Sequence, residues 1–138
     1  MKRIIAGIIL AVTMLVSACG QDKVNEVSID YGTSQIYTKA DMDEAIVLIK
    51  EKFEDFEGCE LHNIRYATDE CNSEENIAWM NDLEEGQNFT QCIVFLSDFH
   101  TPKDGGLTWE PDTEYKDWTW NLARAEGGEW HLVTWGYD

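Results

Sequence analysis

Two apolar runs near the end of the chain, Glu114 to Arg124 and Trp130 to Tyr137, are joined by Glu126-Gly127-Gly128-Glu129, and no other stretch constrains the fold as tightly. Paired glycines supply the positive φ that tight strand connections need, so the two runs read as one β-hairpin. Alternation puts Trp118, Trp120 and Leu122 on one face of the first strand and Trp130 and Leu132 on one face of the second. His131, Val133, Trp135 and Tyr137 take the other face. A hairpin of this kind is apolar on both sides. One face must meet a helix; the other lines a pocket, meets a partner, or is covered by the loop Thr101 to Asp112, which holds both prolines and Gly105-Gly106.

The covering helix is readable upstream. Thr38 is a good N-cap with Asp41 three residues on, Tyr37 can staple against Met42, and Met42, Ala45, Ile46, Ile49, Phe53 and Phe56 recur at spacings of three and four before Gly58. Cys59 to Tyr66 alternates imperfectly, as a strand with a bulge near Asn63 would. A shorter helix is expected from about Ser73 to Glu84, with Ile77, Met80 and Leu83 inward, or Trp79 beside Met80, and Gly86 ending it. Phe89 to Asp98 is nearly continuous in apolar residues and reads as a central strand. This order predicts an α+β domain: a long N-terminal helix packed across a curved antiparallel sheet of about four strands.

The first twenty residues carry a different signal. Lys2 and Arg3 precede the apolar stretch Ile4 to Val16, and Val16-Ser17-Ala18-Cys19 closes it with small residues before a cysteine. This segment resembles a bacterial lipoprotein signal peptide. The resemblance implies cleavage after Ala18, diacylglyceryl attachment to Cys19, and location on the extracytoplasmic face of the cell membrane. The expected organisation is therefore a signal peptide at 1–18, a flexible tether at 19–35 with lipidated Cys19, and one α+β domain at 36–138. The tether reading rests on a polar stretch, Gly20 to Gln35, without sustained periodicity.

Charge narrows the partners. The chain has a formal net charge of −17, and loss of Lys2 and Arg3 makes it more negative still. Nucleic acid is excluded, because each phosphate contact would form against the summed negative field. Membrane contact is expected through the lipid on Cys19, and a peptide, a protein or a small molecule remains open as ligand. Cys59, Cys71 and Cys92 permit at most one intramolecular bridge, and spacing does not choose among three pairings.

The segments Ser97-Asp98-Phe99-His100, Trp118 to Arg124 and Gly128 to Tyr137 resemble those of small bacterial lipoproteins with NTF2-like or cystatin-like domains. That resemblance implies a cone-like sheet wrapped on a helix and assigns no catalytic motif; such a fold does not settle function.

Two kinds of site residue emerge. Trp109, Trp118, Trp120 and Trp135 form a candidate ligand or partner surface, since aromatic side chains give large contact area at low rotamer cost. Asp98 and His100, two apart at a strand end, are the one pair from which acid-base catalysis could be argued, and no Ser or Cys nucleophile accompanies them. The acids Asp104, Glu110, Asp112 and Glu114 crowd the same region but lack the spacing of a calcium loop, and the histidines lack zinc spacing, so neither metal nor cofactor is expected. The favoured function is a lipid-anchored binding or interaction module. The alternative is a small NTF2-like enzyme using an Asp/His acid-base pair.

Overall fold

A computed structural model describes residues 26–137. Five strands form one sheet in the order of the chain: β1 (Ser28–Asp30), β2 (Glu60–Tyr66), β3 (Gln91–His100), β4 (Glu114–Arg124) and β5 (His131–Gly136). β1 runs parallel to β2, and every other neighbour is antiparallel. Helix α1 (Lys39–Phe53) lies on one face. Helix α2 (Glu74–Leu83) follows a 3-10 turn at Asp69–Cys71 and packs on the opposite face.

α1 starts where its capping chemistry dictates. The Thr38 hydroxyl accepts from the Asp41 N–H at 3.1 Å, and the Asp41 carboxylate accepts from the Thr38 N–H at 2.9 Å, closing a capping box. Met42, Ala45, Ile46, Ile49 and Phe53 are buried against Leu61, Ile64, Phe95, Phe99, Trp120 and Leu122 of the sheet. The start of α1 is also tied to the hairpin, because the Trp130 indole donates to the Asp41 carbonyl at 3.0 Å and Arg124 reaches the Asp41 carboxylate at 3.3 Å.

The expected architecture needs correction. The sheet is mixed and five-stranded, and the two helices are short and lie on opposite faces, unlike a long helix on about four antiparallel strands in the NTF2-like or cystatin-like manner. One cause is the end of α1. After Phe53 the backbone turns tightly through Glu54 to Gly58, so Phe56 packs from a turn and not from the helix. The other cause is β1, whose three residues pair with Asn63, Ile64 and Arg65 inside the stretch read as tether. Three residues carry too little alternation to announce a strand. Cys19 and the signal segment lie outside the described residues.

Three β-bulges shape the helix-facing side of the sheet. In β2 the register shifts between Leu61 and Asn63, in β4 Lys116 and Asp117 together oppose Asp98, and in β5 Val133 is extra opposite Asn121 and Leu122. Each turns a three-residue spacing into a shared face, giving Leu61 with Ile64, Tyr115 with Trp118, and Leu132 with Trp135. The β5 bulge overturns the simple alternation, which sent Trp135 and Tyr137 away from Leu132. Asp117 accommodates its bulge at φ 61°. α2 likewise departs from its expected facing: Met80 is buried, whereas Leu83 and Trp79 are exposed.

Candidate functional site

A magnitude explains why a site forms where it does. Fifteen residues of α1 span about 22 Å, whereas the eleven residues of β4 span about 36 Å, so one end of the sheet outruns the helix. Aromatic side chains cover that end instead. Phe56 lies 5.1 Å from Trp109, 5.9 Å from Trp118 and 5.8 Å from Trp120 between ring centroids. Phe99 lies beneath, stacked on Tyr115 at 5.1 Å, and Tyr115 stacks in turn on Tyr137 at 5.9 Å.

The cover is incomplete. Lys52, Asp55, Phe56, Thr108, Trp109, Trp118 and Trp135 line an open groove of about 400 Å³, within the range of ligand pockets. A hollow of about 250 Å³ shares Asp55, Thr108 and Trp109 with it and adds Glu57 and Leu107. Trp135 is 39% exposed at the groove wall, and the Lys52 ammonium lies 4.7 Å from its ring centroid while pairing with Asp55 at 3.3 Å. Trp109 and Trp118 are half-buried. Among the described residues, the Trp118 indole nitrogen is the buried side-chain polar atom without a hydrogen-bond partner. Of the four tryptophans singled out from sequence, three therefore meet in one groove. Trp120 does not reach it; its indole is fully buried and donates to the Ser97 hydroxyl at 3.0 Å.

The loop that delivers Trp109 is built by hydrogen bonds. The Thr101 hydroxyl donates to the Glu110 carbonyl at 2.6 Å and accepts from the Thr113 N–H at 2.8 Å. Gly105 and Asp112 both donate from their N–H groups to the Pro102 carbonyl, and the Trp109 N–H donates to the Gly105 carbonyl at 3.0 Å. Gly105 holds φ 78°, and a Cβ there would lie 2.4 Å from the Trp109 carbonyl oxygen, so the loop requires glycine at this position.

Asp98 and His100 share a face of β3, the one opposite the groove, but do not act on each other. Asp98 accepts from the Asn63 amide at 3.1 Å and the Asp117 N–H at 3.0 Å, and pairs with Arg65 at 3.3 Å. Burial pushes its carboxyl up, and these donors together outweigh burial and hold it below the ordinary aspartate range. Arg65 also pairs with Asp117. His100 turns to other acids: Nε2 meets Asp112 at 2.8 Å and Nδ1 meets Glu114 at 3.0 Å. The other Glu114 oxygen meets His62 Nδ1 at 2.9 Å, and the two imidazoles lie 6.5 Å apart. His62 and the Glu114 bridge were not legible as partners, because strand register brings them together across β2, β3 and β4. Among the described residues, no group of three or more His, Cys, Asp or Glu side chains is placed to hold a metal ion.

Asp112, and then Glu114, raise the His100 pKa above the ordinary histidine value of 6.5. A histidine raised on folding contributes stability that is fully present below its unfolded pKa and is lost as pH rises through the folded one. Thermal unfolding of the domain should therefore show a downward trend in Tm as pH climbs from about 6 to about 8, part of which disappears in His100→Gln. Identical slopes for the two proteins would remove His100 as a source of the trend.

No family model matches this chain, and neither the curated proteins nor the solved structures contain a match to it.

Proposed function

We propose that this protein is a lipid-anchored extracytoplasmic binding module whose ligand site is the groove between Trp109, Trp118 and Trp135. One observation carries the binding reading, the anchor resting on the leader and Cys19 alone: three indoles from three separate segments, a loop, β4 and β5, converge with Phe56 on an open hollow of ligand size. Aromatic anchors of this kind supply much of the affinity at binding sites. Lys52, Asp55 and Thr108 add the few polar groups that orient a ligand in an otherwise apolar site. The acid-base alternative loses the pair it was built on, since Asp98 is engaged by Arg65 and Asn63 and not by His100.

Indole emission of the domain, titrated with a cationic tripeptide, an acidic tripeptide and a neutral glucose tetramer, tests the site. At least one class should bind saturably, and Trp135→Ala should weaken that binding about tenfold or more, the effect of truncating an interface anchor. Absence of binding by all three, or binding that Trp135→Ala and Trp109→Ala leave unchanged, would overturn the reading.

A further inference from the structure

The structure assigns Cys71 and Cys92 as a disulfide-forming pair, a covalent link between the turn before α2 and the central strand β3. Cys59 is ruled out as a partner by position. It packs with the α1-side core beside Glu60, whose register partner is His100, whereas Cys92 lies at the other end of β3 and faces α2. Eight residues of strand separate Cys92 from His100, about 26 Å, against a Cα–Cα span of about 4.4–6.8 Å for a disulfide.

Cys71 lies at the correct end and on the correct side. The amide oxygen of its neighbour Asn72 accepts from the Cys92 N–H at 2.9 Å, which places the 3-10 turn directly against Cys92. The Cys71 carbonyl is held in turn by the Asn76 amide at 2.9 Å, so this turn is fixed at the head of α2. Burial, and then the charge of Cys71, push the Cys92 thiol up to about 11.

The bond forms by two exchange steps. The half-buried Cys71, as thiolate, attacks a small-molecule or protein disulfide and releases one thiol, leaving Cys71 in a mixed disulfide. Cys92, as thiolate, then attacks the Cys71 sulfur and releases the second thiol. Both cysteines lose their protons, and the two electrons pass to the disulfide donor. An extracytoplasmic compartment permits this chemistry.

Trypsin offers a direct test, because no Lys or Arg occurs between Arg65 and Lys103, and the peptide Tyr66 to Lys103 holds Cys71 and Cys92 without Cys59. Full-length protein is equilibrated with glutathione disulfide, alkylated under denaturing conditions, digested and weighed. The peptide should carry no alkyl group and be lighter by two hydrogens than the dithiol, and should take two alkyl groups once reduced beforehand. Cys59→Ser should behave identically, and Cys71→Ser should leave Cys92 alkylated. Alkylation of both cysteines without reductant, or glutathione attached to either in place of the internal link, would overturn the assignment.

Discussion

Phe53→Ala is expected to cost about 3–5 kcal/mol, a large share of the stability of a small domain. Phe53 is 3% exposed, and its ring lies 5.1 Å from Phe56, which lines the groove, and 5.5 Å from Phe99. The loss combines the transfer term of a buried phenyl with the cavity left between helix and sheet. Edge-to-face contact with Phe99 adds to it, roughly 0.5–1.5 kcal/mol for such a pair. Thermal unfolding should show Tm falling by roughly 10–25 °C, against little change for Glu54→Ala on the exposed side of the same turn. Comparable shifts in the two variants would mean that the contact with Phe99 does not hold α1 to the sheet.

Cys19→Ser has the larger consequence in the cell if the chain is anchored as proposed. Each buried methylene contributes about 0.8 kcal/mol, and one acyl chain holds only marginally, so two or more chains on one cysteine decide between durable attachment and release. The serine variant should lose acyl labelling altogether and either leave the membrane fraction or accumulate with its leader uncut. A variant processed normally and still extracted with the membrane would sink the lipid-anchor reading. The strongly acidic domain gives anionic headgroups no compensating attraction.

Much of the local structure was legible because it depends on short-range chemistry. Thr38 and Asp41 announce a capping box, Met42 to Phe53 announce the buried stripe, and Gly127 with Gly128 announces the hairpin. Register was harder. The bulge near Asn63 left a visible break in alternation, whereas those at Asp117 and Val133 fall in stretches so rich in aromatic residues that either face looked apolar. The site shows the same limit. Trp109, Trp118 and Trp135 could be singled out by type, but their convergence depends on the β5 bulge and on where α1 stops. Nor does sequence show that Asp98 faces Arg65 while His100 faces Glu114, since both pairings depend on which residues the strand register sets side by side.

β1 gives the sheet a mechanical property. Any tension arriving through the amino-terminal segment reaches the fold first at Ser28–Asp30, whose parallel partners are Asn63, Ile64 and Arg65. Immediately behind it, Tyr31 donates its hydroxyl to Asp43 of α1 at 2.6 Å, and Ser34 donates to Asp69 at 2.6 Å. A pull is thus shared early between the sheet edge, α1 and the turn before α2. A pull along that segment would load the small strand before it reached the aromatic end of the sheet.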